Sequence, residues 1–456
     1  MTSIGQRMIS SGAASATSLV TRVAEQLLLI PVLLAAWSVE LFGEYLLIAA
    51  IPTYIALSDL GVVQSGSNEL ARRAGEGDEE GAHRFFRDLV VTFLRWSLLL
   101  LVVLAAVVMA VPLADWLGLR QISSAEAKWT FGLLAAAAII SQNSLALLGG
   151  MRARRIMPAG LWTRAIGTIL RLAATFIAVK FFDTGPVAIG AIMLASRIGE
   201  YAAQSVILRR ADFAATLNLF ARRSQKLGRY VASGLEYLMF DLAKALLLQG
   251  AVIIIGLTLG AVAVAVFSTH RTLARAVSQI VQTALVPLQA EAGLMGGASQ
   301  RTGLARLVIA TTRLAVWTCL AVALALFVAG PAIFELWTGG KIAFAPELYG
   351  LLVGAVLFEA VWMLTAQARM GTNRHRPIAW SFLAVAACAV AGMSASVTLV
   401  TAAAVLLVAE IVMCLVAIPL TVSLLDMRVG AYLRAILRFP SEELRFLKNR
   451  LLPSGH

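Results

Sequence analysis

The stretch SLVTRVAEQLLLIP, residues 18–31, carries Arg22 and Glu25 inside an apolar run that extends from near Ser11 to near Trp37. In lipid, a charge at the centre of such a run costs at least about 3 kcal/mol, so charged groups there turn toward a bundle interior or a water-filled cavity. Composition decides whether lipid is the solvent. The 456 residues are 60% hydrophobic and 14% charged, against about 25% charged residues in a soluble domain. That excludes one large soluble core.

Twelve apolar runs are long enough to cross a bilayer, which takes roughly 20 residues: 11–36, 42–64, 88–112, 129–150, 160–181, 186–208, 231–257, 260–287, 306–330, 346–369, 377–397 and 399–424. They are continuous and rich in Leu, Ala and Val, so they read as helices and not as the short alternating segments of a barrel. The expected fold is an all-α polytopic membrane protein with twelve transmembrane helices in two six-helix lobes. Residues 1–210 form the first lobe, 211–230 a cytoplasmic linker, 231–426 the second lobe, and 427–456 an amphipathic tail. The N-terminal region has one base, Arg7, and its apolar run is interrupted by charge, which reads as an uncleaved first span.

The loops fix the orientation. One side carries 25 Lys and Arg; the other carries Arg120, Lys128, Lys180 and Lys341. By the positive-inside rule both termini are cytoplasmic. Much of the +13 net charge is therefore a topology signal, and no nucleic-acid partner is expected. Three cytoplasmic segments, 68–89, 211–229 and 427–452, look amphipathic and read as helices on the anionic inner leaflet.

RMISSG at 7–12 returns as RYVASG at 229–234. The same offset carries Arg22 onto Lys244, Tyr45 onto Phe267 and Glu69 onto Glu291. The first and seventh spans both start in the cytoplasm, so the repeat is parallel. Parallel repeats of this kind point to transport with a site between the halves.

The charges inside the spans share faces. In span 1, Ser11, Ser15, Ser18, Arg22 and Glu25 lie on one helical face, as do Ser268, Arg271, Arg275, Ser278 and Gln282 in span 8. Arg164 and Arg171 lie seven apart in span 5. Arg22–Glu25, Arg197–Glu200 and Asp241–Lys244 are acid–base couples three apart. Each couple either neutralises itself within its helix or serves a cavity. Arg271 and Arg275 have no acid in their own helix; Glu25 and Asp241 are candidate partners. Arg95, Arg164 and Arg313 lie near cytoplasmic ends, where long side chains snorkel. Asp59, Glu359 and Glu410 are acids without helix-local partners, and read as proton sites or as salt-bridge acids. Gln142 and Asn143 read as packing groups in span 4. Arginine holds phosphate oxygens bidentately and stays charged, so a base-rich cavity points to a large anion such as a phosphate or pyrophosphate on a lipid carrier. The candidate substrate-binding residues are Arg22, Lys244, Arg271, Arg275 and Arg171. The candidate coupling or base-orienting residues are Glu25, Asp59, Asp241 and Glu359.

FGEYLLIAAIPTYIALSDLGVVQSGSNELARR, residues 42–73, resembles the second-helix signature of polysaccharide-export proteins, in which an F/Y-G-x-Y start leads to a D-L-G turn and a small cytoplasmic helix. VAVFSTHRTLARAVSQIVQTALVPLQAEAG, residues 264–293, repeats it weakly. Over nearly its whole length the chain resembles Wzx-type flippases of the multidrug/oligosaccharidyl-lipid/polysaccharide (MOP) exporter superfamily. The resemblance implies flipping of undecaprenyl-pyrophosphate-linked repeat units of O-antigen, capsule or exopolysaccharide by alternating access. It implies the bacterial inner membrane, lipids and the lipid-linked oligosaccharide as partners, and a polysaccharide polymerase or export proteins beside them. Bases on helices 1, 2 and 8 matter in the related lipid II flippases; Arg22 and Arg271 or Arg275 match by helix and depth, whereas span 2 here has no mid-membrane base and the extra helices of those flippases are absent.

Two other readings compete. One is an H⁺- or Na⁺-coupled multidrug antiporter of the same superfamily, which usually handles cations with acidic cavities. The other is a membrane glycan ligase or polymerase, which needs larger external loops than 113–128. Cys319, Cys388 and Cys414 fall in spans without metal spacing and are expected to pack as small apolar residues. The four histidines form no cluster, and there is no nucleotide-binding loop or D-x-D motif. No catalytic residue, metal or cofactor is expected.

Overall fold

The computed structural model describes residues 4–58, 61–213, 229–294, 301–372, 374–395 and 398–443. Seventeen α-helices and one π segment follow in order: α1 Ile4–Ala36, α2 Val39–Ala50, α3 Pro52–Ile55, α4 Val62–Gly75, α5 Glu79–Ala110, α6 Leu113–Leu117, α7 Ser124–Ala153, α8 Met157–Phe182, α9 Pro186–Arg210, α10 Arg229–Ala245, the π segment Leu246–Gly250, α11 Ala251–Leu259, α12 Ala261–Leu294, α13 Arg301–Thr338, α14 Pro346–Gly371, α15 Arg376–Met393, α16 Leu399–Leu424 and α17 Val429–Leu437.

All twelve expected spans fall on helix. Among the described residues, nine helices are long and apolar enough to cross a membrane by length and composition alone. Spans 2, 6 and 8 are the other three, each for a visible reason. Span 2 is broken into α2, α3 and α4. α9 carries Arg197 and Glu200, and α12 carries Arg271 and Arg275. The chain is an all-α polytopic membrane protein with twelve membrane helices in two repeats.

Local chemistry sets the boundaries. The Ser38 side chain caps α2, Asp78 caps α5, and Ser123 with Glu126 forms a capping box on α7. Pro186 and Pro346 open α9 and α14 at positions where a missing N–H costs nothing.

The break in span 2 would leave carbonyls without partners in lipid, where no water replaces them. Side chains from neighbouring helices take them up. Gln142 Nε2 of α7 donates to the Ala56 carbonyl at 2.6 Å. Trp96 Nε1 of α5 donates to the Ser58 carbonyl at 3.0 Å. Gly61 then enters α4 at φ 70°, a left-handed conformation that glycine adopts without steric cost. The π segment of span 7 is served in the same way: Tyr54 of α3 donates its hydroxyl to the Ala245 carbonyl at 3.2 Å.

By contacts the chain divides into Met1–Ala265 and Val266–His456. Span 7 therefore packs with the first six. Leu47 of α2 lies against Gly256, and a Cβ on Gly43 would strike the Ala261 carbonyl oxygen. The repeat shows in the packing inside each unit. In the first unit the fourth span packs on the sixth (α7 on α9), the third on the fourth (α5 on α7) and the fifth on the sixth (α8 on α9). The second unit has the same three pairs: α14 on α16, α13 on α14, and α15 on α16.

An acid overlooked in the sequence anchors the first unit. Glu44 of α2 is buried and accepts the backbone N–H groups of Arg120, Gln121 and Ile122 at 2.5, 2.9 and 2.8 Å. Hydrogen bonds to a charged group are worth about 1.5–3 kcal/mol each. Glu44→Ala is expected to lower stability by about 2–4 kcal/mol, read as a fall in the unfolding midpoint in detergent.

At one end of the first unit, Leu70, Phe85, Phe86, Leu89, Met151 and Phe213 form a packed apolar cluster under α4 and α5. On α4, Glu69 pairs with Arg72 and Arg73, both at 2.8 Å. The Arg72 hydrogen bond leads in holding the Glu69 carboxyl down from the usual 4.5 to about 2, against desolvation; Arg73 adds to the effect. A depressed acid contributes stability above its unfolded pKa and loses it as pH falls through the folded one. Wild type is expected to lose stability between pH 4.5 and about 2, and Glu69→Gln to lack that component of the acid limb in unfolding scans against pH.

In the second unit α17 packs on α13 and α16. Tyr432 is buried, its hydroxyl 2.6 Å from Thr365 Oγ1. Arg313 donates to the Ala435 carbonyl at 2.9 Å and pairs with Glu443 at 3.2 Å, so it ties the tail down and does not snorkel. The amphipathic segment 214–228 and the tail beyond 443 lie outside the described residues. Cys319 and Cys414 are buried, as small apolar residues would be; Cys388 is instead exposed on α15.

Candidate functional site

The opening question of Arg22 and Glu25 has a definite answer. Glu25 does not pair within its own helix. Its carboxylate holds Arg171 of α8 in a fork, Nε to Oε1 at 2.6 Å and Nη2 to Oε2 at 2.7 Å. The remaining Nη1 donates to Ser196 of α9 at 3.1 Å. Three helices, α1, α8 and α9, thus meet at one guanidinium. The Arg171 side chain is 5% exposed and the Glu25 side chain 18%. The sequence reads Arg171 as a substrate ligand; here all three of its nitrogens are engaged, so it positions α1 against α8 and α9.

A second knot lies beside the first. Glu200 of α9, its side chain 1% exposed, takes Arg197 at 2.8 Å and Arg164 of α8 at 3.1 Å. The couple Arg197–Glu200 does form within its helix. Arg164, read from the sequence as a snorkelling residue, reaches inward to the same acid because packing of α8 on α9 brings that acid within its reach. Gln204 donates to Glu200 Oε1 at 3.4 Å. Arg164 lies within electrostatic reach of Arg22, Arg171 and Arg197. Arg22 is exposed; its Nε donates to the Ser18 carbonyl at 3.2 Å. Three arginines therefore share two glutamates, and Arg22 lies near them without an acid of its own among the described residues. A groove of about 480 Å³ runs between α8 and α9 with Arg171 and Glu200 on its lining.

The other candidates are placed as follows. Lys244 is half-buried in the last turn of α10, next to the Ala245 carbonyl that Tyr54 captures, and Asp241 is exposed one turn before it. In the second unit the Arg271 guanidinium lies 5.3 Å from the centre of the Phe267 ring, a cation–π arrangement one turn apart. Arg275 follows one turn later. No acid pairs with Arg22, Lys244 or Arg275 among the described residues. Glu359 is half-buried in α14. Glu410 accepts Trp362 Nε1 at 2.6 Å in the packed pair α14–α16. Asp59 and the side chain of Gln282 lie outside the described residues.

His270, next to Arg271 in sequence, belongs to the core. Its Nδ1 lies 2.7 Å from the Val266 carbonyl and its Nε2 accepts the Ala345 N–H at 2.9 Å. That pattern assigns the neutral Nδ1–H tautomer. Phe334 and Phe344 flank the ring. Gln142 and Asn143 bond to neighbouring segments, the latter donating to Ser97 at 2.6 Å. Among the described residues no His, Cys, Asp and Glu group could hold a metal ion.

No family model and no curated protein matches the sequence. Solved structures do match in fold. An inward-facing multidrug resistance MATE family transporter of the MOP superfamily aligns with a TM-score of 0.73 at 17% identity, over 92% of this chain and 96% of that one. The lipid II flippase MurJ, in an inward closed conformation, aligns with a TM-score of 0.68 at 11% identity, over 94% of this chain and 90% of that one. This chain and those two proteins share one fold. At these identities the likeness concerns the fold alone. Within that fold, the first unit of this chain carries arginines in excess over acids on α1, α8 and α9.

Proposed function

We propose that the chain is a flippase for an undecaprenyl-pyrophosphate-linked oligosaccharide, moving it from the cytoplasmic to the outer leaflet of a bacterial inner membrane by alternating access. The protein is a carrier and not an enzyme, with both termini cytoplasmic. The observation that carries this reading is the charge imbalance in the membrane interior of the first unit: Arg22, Arg164, Arg171 and Arg197 against Glu25 and Glu200. Uncompensated cations in lipid are costly. An anionic head group repays that cost, and guanidinium forks suit its oxygens. In the second unit Arg271 and Arg275 supply another cationic face, and Lys244 is a further candidate base of the first unit. Glu25 serves by orienting Arg171. Asp59, Asp241 and Glu359 are the carboxyls we assign to coupling to an ion gradient.

The likeness to a multidrug transporter supports the second reading, a cation antiporter. The sign of the charge argues against it, since a cation would meet like charge. The test is ligand-induced stabilisation of the purified protein, which follows from binding to the folded state alone. Undecaprenyl pyrophosphate is expected to raise the unfolding temperature in a dose-dependent way, and a lipophilic cationic dye to leave it unchanged. The reverse pattern would move the chain to the antiporter class.

A further inference from the structure

The groove between α8 and α9 is large enough for a ligand, at about 480 Å³ within the roughly 300–1,000 Å³ of small-molecule sites. Its walls are apolar, with Ile166 and Leu170 from α8 and Ile192 and Ala195 from α9. Ile166 and Leu170 are also exposed, so the mouth opens on an apolar face of α8. The groove exists because side chains are missing. Gly167 and Gly199 line it, one from each helix. A Cβ on Gly199 would meet nothing within 4 Å, and one on Gly167 only Ser196 Oγ at 3.8 Å. Glycine is a poor residue for a helix interior, and neither position needs it for close packing or for a special backbone angle. Thr163 to Ala174 covers about 16 Å of helix, near half of a hydrocarbon layer about 30 Å thick. It lies across the middle of the layer, since Thr163–Ala174 is central in span 160–181 and Ile192–Ala203 is central in span 186–208.

The charges on its floor select among lipids. Arg171 and Glu200 are buried there, within the cluster whose bases outnumber its acids. An apolar slot beside surplus guanidinium groups complements a chain that ends in a strongly anionic head, and not a zwitterionic lipid. We propose that this groove holds the polyprenyl chain of the lipid-linked substrate while the net positive charge of the neighbouring cluster attracts its pyrophosphate. The proposal rests on the flippase reading and adds a place for the part of the substrate that never leaves the membrane.

The experiment uses the full-length protein in nanodiscs and a polyprenyl pyrophosphate carrying a diazirine on its chain. Phosphatidylglycerol with the same group on an acyl chain forms a parallel arm. Gly199→Leu and Gly167→Leu fill the groove while favouring helix. Gly350→Leu, on α14 at a position that also faces open space, is the control. On irradiation the polyprenyl probe is expected to label segments 163–174 and 192–203 in wild type and Gly350→Leu, and to lose that labelling in both groove-filling variants. In a flipping assay wild type is expected to prefer a long-chain carrier over a short-chain analogue, and Gly199→Leu to lose the preference with short-chain transport intact. Labelling elsewhere, labelling unchanged by Gly199→Leu, or equal labelling by the phospholipid would overturn the proposal. A labelled groove in a protein that flips neither carrier would overturn the flippase reading and leave chain binding supported. An unlabelled groove with intact flipping would overturn the groove alone.

Discussion

Glu25→Ala is expected to destabilise the protein by about 3–5 kcal/mol, because it strands a buried guanidinium without its acid. Arg171 is 5% exposed and bidentate to Glu25. After the substitution its Nε and Nη2 have lost their acceptor, and Ser196 retains only Nη1. Removing both charges at once is different. A buried pair replaced by apolar groups of similar volume is often neutral, so Glu25→Ala with Arg171→Leu is expected to recover most of the loss. Denaturant unfolding in detergent gives the four corners of that cycle. A coupling energy below about 0.5 kcal/mol, the level at which independent sites add, would contradict a structural role for the pair.

Arg275→Glu is expected to weaken binding of the pyrophosphate carrier by roughly 30-fold or more. Truncating one member of a desolvated, hydrogen-bonded charge pair costs about 2–5 kcal/mol, each 1.4 kcal/mol being about tenfold, and reversal adds repulsion to the loss. No acid pairs with Arg275 among the described residues, so the substitution strands no internal acid, and stability is expected to hold. That separates it from Glu25→Ala, where stability falls. Equilibrium binding of the carrier and unfolding midpoints, measured on the same preparation, distinguish the two. Unchanged affinity in Arg275→Glu and in Arg271→Ala with Arg275→Ala would remove both residues from the site.

The two predictions also mark what the sequence could and could not tell. Runs of Leu, Ala and Val fixed the helices, because lipid admits few alternatives. The faces bearing Arg22, Glu25, Arg271 and Arg275 were legible from helical spacing alone. The partners were not. Spacing made Arg22 the neighbour of Glu25, yet the acid reaches Arg171, 146 positions along the chain, because packing of α1 on α8 is a tertiary fact. Arg164 looked like a membrane-end residue until α9 placed Glu200 against it. Span 2 reads from the sequence as one run, yet it breaks, and the carbonyls the break frees are taken up by Gln142 and Trp96 from other helices. The π segment at Leu246–Gly250 has no composition signal, since its residues are as apolar as any helix around them. Glu44 sits in the quoted F-G-E-Y start, and its loop partners lie 76 to 78 residues away.

The most direct measurement of the central claim is transport in reconstituted proteoliposomes. A fluorescent undecaprenyl-pyrophosphoryl oligosaccharide in one leaflet is challenged with a sugar-modifying enzyme outside, for wild type and Arg275→Glu. Wild type is expected to carry the sugar across the bilayer and the variant to leave it behind. No movement of the lipid by wild type, with H⁺- or Na⁺-driven efflux of a cationic dye in the same vesicles, would contradict the flippase account and make the carboxylates the residues that bind.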